Sequence, residues 1–254
     1  MNRNCKVIAI TNQKGGVGKT VTSACLSACL VKDGNRVLVV DFDPQGNLTK
    51  GLGYRDPKSY NLSLKDALIK EVEEDDIDIN DFIIHTDEKF DIIPSNISLS
   101  GVDIQLSNVM SRETVFKRVL ENFKKDYDYI LIDSNPALNL FTINSLTAAD
   151  SVIIPVQAEP FATDGLFDLM KTITKVQKQL NPNLKIDGIL ITMTDSRTNL
   201  SKHISNEVRD KYGLVKHTYE DWQNIILTDN EYELYSEEDM EEYFRKLKEE
   251  ENRK

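Results

Sequence analysis

The chain is short of cysteine, histidine and tryptophan, lacks any long apolar run, and carries fewer bases than acids. Three cysteines in 254 residues are too few for a disulfide scaffold. Cys25 and Cys29 fall one helical turn apart in an apolar stretch, and with no second cysteine pair in the chain they read as core thiols instead of a metal pair. His85, His203 and His217 sit in unrelated segments, so none is assigned a catalytic or metal role. The lone Trp222 reads as a packing anchor. No run approaches the roughly 18 apolar residues of a membrane-spanning helix. The opening Met1-Asn2-Arg3-Asn4 leads into a strand pattern instead of a signal-peptide core, so a cytosolic protein is expected. Internal repeats, low-complexity blocks and long Gly/Pro/Ser linkers are absent from the sequence.

The deficit of bases is local. Net charge is −11, but from 219 to 254 there are 13 acids against 5 bases, which leaves 29 against 26 in the rest. The body of the chain is therefore only mildly acidic, and a basic patch on it stays open. Counterion release depends on the few cations near phosphate and not on the total.

What is present is an alternation of two hydrophobic periods. Strands are predicted over 6–11, 36–41, 90–94, 128–133, 151–156 and 185–192. Helices are predicted over 19–32, 63–70, 113–125, 140–148, 163–179 and 199–212. That order argues for one doubly wound α/β fold, a mainly parallel sheet with helices on both faces, in a chain long enough to bury a substantial core.

Between the first strand and the first helix stands Lys14-Gly15-Gly16-Val17-Gly18-Lys19-Thr20. Glycines are needed there because a backbone curled around phosphates approaches closer than a Cβ allows, with its N–H groups turned inward. Lys19 bridges the outer phosphates and the Thr20 hydroxyl ligates Mg²⁺. The standard pattern G-x-x-x-x-G-K-[ST] wants glycine where Gln13 stands, so the loop matches the deviant form in which Lys14 adds a second cation. The strand 36–40 ends in Asp41-Phe42-Asp43-Pro44-Gln45-Gly46-Asn47, and the strand 129–132 ends in Asp133. Acids at the carboxyl ends of buried parallel strands lie where open α/β sheets bind ligands, and Asp133 has the Walker-B position that holds Mg²⁺ through water.

With these motifs the chain resembles the ParA/Soj-type partition ATPases of the deviant Walker superfamily. The likeness rests on Gln13 to Thr20, Asp41 to Asn47, Asp133 to Pro136, Ile154-Pro155-Val156-Gln157-Ala158-Glu159 and Thr192-Met193-Thr194-Asp195-Ser196-Arg197-Thr198-Asn199-Leu200, and covers roughly residues 5 to 215. The resemblance implies ATP and Mg²⁺ as cofactors, with Thr20, Asp41 and Asp133 around the metal, the two acids through water. Asp43 takes the place of the switch aspartate that positions the attacking water. Lys14 takes that of the signature lysine reaching the nucleotide of a second subunit. ATP then assembles a homodimer and hydrolysis, slow without an activator, releases it. Arg197 matches a contact to non-specific DNA, and Lys202, Arg209 and Lys211 either extend that patch or are ordinary solvated charges. A DNA-bound ParB-like protein is the implied activator, segregation or positioning of plasmid or chromosomal DNA the implied task, and the nucleoid the implied place. A membrane is not an implied partner, and the cysteine content weighs against the iron–sulfur relatives of the superfamily.

Three departures qualify the likeness. Asn135 stands where the family usually has a proline before Pro136, and Val21 replaces a threonine after Thr20. After about Gly213 the adenine-side and DNA-side segments of the family are missing. The domain 1–215 is followed instead by an atypical acidic segment, 216–254. There Met240, Tyr243, Phe244 and Leu247 fall at helical spacing, giving a helix that packs on its own domain or binds a partner. Its acid-rich polar face does not suit anionic lipid. A second reading follows from that segment: a nucleotide-binding regulatory or degenerate paralogue with little turnover and no DNA binding, acting through protein partners. The retained catalytic groups favour the first.

Overall fold

β-Branched runs with no polar alternation form the middle of the sheet. In a computed structural model that describes residues 5–158 and 162–193 and the isolated positions 204, 206, 208, 215 and 216, the strands are β1 (Lys6–Ile10), β2 (Val37–Phe42), β3 (Ile84–His85), β4 (Asp91–Ile93), β5 (Tyr129–Ser134), β6 (Ser151–Gln157), β7 (Lys185–Thr192) and β8 (Val215–Lys216). Their order is β3-β4-β2-β5-β1-β6-β7-β8. The pairs β4–β2, β2–β5, β5–β1, β1–β6 and β6–β7 are parallel, and the short β3 joins antiparallel at one edge. All six residues of β2 are buried, as a strand covered on both faces requires.

Crossover helices cover the two faces. They are α1 (Lys19–Lys32), α2 (Asn47–Gly51), α3 (Leu64–Glu73), α4 (Val102–Leu106), α5 (Val115–Glu121), α6 (Leu140–Ala148) and α7 (Ala162–Gln179). One face is built around Val7, Ala9, Val40, Phe42, Ile132 and Ile154, all buried. There Phe42 lies 4.4 Å from the Phe116 ring of α5 and 5.3 Å from the Phe141 ring of α6. At the start of α3, the Asp66 carboxylate accepts a hydrogen bond from the Ser63 backbone N–H at 2.9 Å, a capping box that fixes where this helix begins. Cys25 and Cys29 are buried on α1, and burial pushes their thiols up to about 12 and about 11. They behave as small apolar side chains.

The six predicted strands are all found, displaced by a residue or two at their ends, and so are the first five predicted helices. The α5 helix is shorter than the 113–125 expected, entered through a 3-10 turn at Arg112–Thr114. Of the sixth helix, 199–212, the described positions Ile204, Asn206 and Val208 are helical, with Ile204 and Val208 buried in the core. By compactness the chain divides after Val215. Trp222 and the helical pattern at Met240, Tyr243, Phe244 and Leu247 lie outside the described residues. Among the described residues no helix is long and apolar enough to cross a membrane.

Candidate nucleotide site

The strand register brings the acids and the glycine loop to one end of the sheet. Asp133 is the register partner of both Asp41 on β2 and Ile10 on β1, and the glycine loop leaves β1 immediately beyond. Gly16 and Gly18 take φ of 77° and 86°, a conformation that side chains resist. A Cβ added at Gly15 or Gly16 would meet nothing within 4 Å among the described residues, so on that side the loop borders open space. Gly18 starts α1 with no side-chain cap and no acid in the first turn. The helix thus presents free N–H groups and the positive end of its dipole to whatever occupies that space, an arrangement suited to an anion.

The loop is tied down on three sides. Asn12 donates to the Pro155 carbonyl of β6 at 2.7 Å and accepts from the Lys14 N–H at 3.0 Å. Gln13, at the position where a standard loop has glycine, donates to the Gly165 carbonyl of α7 at 3.0 Å. Thr192, at the end of β7, donates to the Val17 carbonyl at 2.9 Å. The sequence drew attention to Gln13 and to the Thr192 stretch but gave no role to these contacts. Asn12 carried one local signal, since an Asn side chain readily binds backbone two residues on.

Lys19 is buried, with Nζ donating to the Lys14 carbonyl at 2.8 Å. Burial lowers its affinity for a proton, and the charges of Asp133 and Asp43 oppose that shift. Asp133 is 1% exposed. One of its oxygens accepts from Ser23 Oγ at 3.2 Å, while Oδ2 has no partner among the described residues. Burial, and then the neighbouring Asp41, holds the Asp133 carboxyl well above the usual range, against the pull of Thr20, Lys19 and Ser23. An unpaired buried carboxylate oxygen is costly, and a cation there would relieve the cost.

Asp41 is fully buried and already engaged. Its Oδ2 accepts from Thr49 N and Oγ1 at 2.9 and 2.7 Å, and its Oδ1 from Asp43 N at 3.3 Å. It therefore anchors the turn that carries Asp43 to the start of α2. Asp43, 9% exposed, accepts from Gln45 N at 2.9 Å, and its carbonyl accepts from Gly46 N and Ser95 Oγ. Gly46 has φ 60°, and a Cβ on it would come within 2.6 Å of the Ser95 carbonyl, so no other residue fits without displacement. Thr20 is half-buried and Lys14 is exposed at the loop's outer rim. Asn135 is buried, with Oδ1 accepting from Thr142 at 3.3 Å, and Val21 is 47% exposed. Arg197, with Lys202, Arg209 and Lys211, lies outside the described residues.

These features define a P-loop nucleotide-binding protein of the two-lysine, deviant type, and the open glycine cradle, the Lys19 ammonium and the bare Asp133 oxygen fit a phosphate chain with a divalent cation. The AAA domain family matches residues 5–186. The sporulation initiation inhibitor protein Soj of Bacillus subtilis is 52% identical over 205 residues, 80% of this chain and 79% of Soj. The chromosome partitioning protein ParA of Caulobacter vibrioides is 42% identical over 211 residues, 82% of this chain and 77% of that protein. Among solved structures, cobyrinic acid a,c-diamide synthase from Mycobacterium smegmatis with bound ADP and magnesium superposes with a TM-score of 0.77 at 41% identity, covering 83% of each chain. The chain belongs to the ParA/Soj-type ATPases of the MinD/ParA superfamily.

Proposed function

We propose that this chain is an ATP-hydrolysing switch that dimerises on ATP, binds DNA non-specifically, and segregates or positions plasmid or chromosomal DNA with a ParB-like activator. The observation that carries the reading is the convergence at one sheet end of Lys19, the Asp133 oxygen left without a partner among the described residues, and Asp43 close enough to act on the Lys19 charge. Relatives called Soj and ParA support the task. The magnesium-ADP complex of a 41% identical structure supports ATP and Mg²⁺ as cofactors.

In this reading the loop N–H groups and the first turn of α1 bind the phosphates, and Lys19 leaves the Lys14 carbonyl to bridge the outer two. Thr20 and Asp133 would hold the metal, and Asp41 would add its charge beside them while fixing the Asp43 turn. Magnesium, when bound, neutralises charge on the phosphate oxygens. Asp43 orients the attacking water, held in place by Gln45 N and Ser95 Oγ. Lys14, at the exposed rim, supplies a cation to the nucleotide of a second subunit, which ties turnover to dimerisation. Loss of the γ-phosphate contacts then releases the dimer.

Binding to non-specific duplex DNA, measured with ATP, with ADP and without nucleotide at low and moderate salt, tests this. The expected result is ATP-dependent, salt-sensitive binding that Arg197→Glu removes. Binding of ATP without any binding of DNA would favour the nucleotide-switch reading, in which the acidic 216–254 segment recruits a protein partner.

A further inference from the structure

β7 stops at a contact with the phosphate loop. Thr192 is its last residue, and its hydroxyl donates to the Val17 carbonyl at 2.9 Å across 175 positions of sequence. Its Cγ2 lies 3.4 Å from where a Cβ on Gly18 would stand, so both parts of the side chain bear on the same peptide unit. The next residue, Met193, takes φ 53° and is 61% exposed. A left-handed conformation at a non-glycine residue turns the chain out of the sheet directly after the contact.

A trans peptide is planar, with its C=O and N–H pointing in opposite directions. Holding the Val17 carbonyl against Thr192 therefore turns the Gly18 N–H to the opposite side. Gly18 is a glycine at φ 86°, and glycine accepts either sense of the peptide at little cost. With no tether, the Val17–Gly18 peptide is free to flip and present a carbonyl oxygen where a phosphate needs a donor. We propose that Thr192 is a positioning residue for phosphate binding: its hydroxyl locks the Val17–Gly18 peptide with the Gly18 N–H turned into the loop, toward the nucleotide. The same bond links occupancy of the loop to the strand end that leads into the Thr194–Leu200 stretch. This rests on the nucleotide-binding reading above.

The test compares wild-type protein with Thr192→Val, which keeps the shape but loses the hydroxyl, and Thr192→Ser, which keeps the hydroxyl. Affinities for a fluorescent ATP and a fluorescent ADP are measured with Mg²⁺, with kcat and KM for hydrolysis alongside. Thr192→Val is expected to weaken both nucleotides about tenfold, the scale of one hydrogen bond to a charged group. KM rises in step, kcat at saturation stays within about twofold, and Thr192→Ser restores wild-type affinity. A merely structural contact would lower the thermal midpoint of the nucleotide-free protein without this split. Where that midpoint falls for Thr192→Val, Thr192→Ala is measured as a variant unable to overpack. Wild-type affinity in both hydroxyl-free variants overturns the inference, as does a Thr192→Ser protein no better than Thr192→Val. Wild-type protein that binds neither nucleotide would overturn the nucleotide reading itself.

Discussion

Asp133 and Gly46 show how single positions here answer to the site and to the fold at once. Asp133 is buried beside Asp41 with one oxygen unpaired among the described residues, and its carboxyl is held above the ordinary 3.8. Below that pH both folded and unfolded chains hold the proton, and the group contributes nothing to the pH dependence. As pH rises, the unfolded chain ionises while the folded one keeps its proton, so stability falls until the folded value is passed. Asparagine has no proton to lose. Asp133→Asn is therefore expected to stabilise the metal-free protein measurably at pH 8 and by little near pH 4. Urea denaturation at the two pH values checks this; equal effects at both would contradict the burial argument. The same variant should lose Mg²⁺-dependent nucleotide binding. Gly46 is a steric case. Its φ of 60° and the 2.6 Å approach to the Ser95 carbonyl mean that Gly46→Ala strains the backbone and displaces the Asp43 turn. A loss of about 2–4 kcal/mol in urea denaturation is expected, together with slowed hydrolysis.

Elements were legible in the sequence where one physical signal dominated. The strand at 36–41 was plain because a β-branched run with no polar interruption has few other places to go, and β2 is indeed buried throughout. The start of α1 was plain because the glycine loop ends there. By contrast β3, α2 and α4 have two, five and five residues, too few for a period to show, and they exist because the chain around them is fixed. The α2 helix begins where Gly46 turns and where Thr49 meets Asp41, a contact eight positions long that no local pattern announces. Within the site, the charged and glycine residues were readable from motif chemistry, while the tethers Asn12, Gln13 and Thr192 depend on which strands become neighbours. The thiols of α1 illustrate the readable kind. With Cys25 and Cys29 pushed up to about 12 and about 11 by burial, and Cys5 likewise to about 12, little thiolate exists at pH 8. Labelling of the folded protein by a thiol reagent is expected to be slower than that of the urea-unfolded chain by at least about a hundredfold. Fast labelling of Cys25 or Cys29 in the native protein, with the modified position read by peptide mass mapping, would show that α1 does not pack as described.

At the scale of the whole molecule, Lys14 and Asp43 separate two requirements of the proposed switch that a turnover assay alone would merge. Lys14 lies exposed at the rim while its own backbone carbonyl receives Lys19. Removing its side chain leaves that carbonyl, the glycine cradle and the tethers from β6, α7 and β7 in place. A single subunit of Lys14→Ala should then bind ATP within about threefold of wild type, since the cradle supplies the contacts. In the proposed switch the cation meant for the second subunit's nucleotide is then gone, and with it the charge that would offset repulsion between two triphosphates brought face to face. ATP-dependent dimers should be lost and turnover should drop by about a hundredfold or more. Asp43→Ala removes the proposed water-orienting group and leaves both cations, so it should give the converse: dimers that form on ATP and persist, with turnover reduced to a similar degree. Light scattering on size-exclusion fractions with ATP, run beside a phosphate-release assay, distinguishes the two. Dimers in Lys14→Ala would mean that this cation acts within its own subunit, and turnover surviving in Asp43→Ala would remove Asp43 from the role of orienting water.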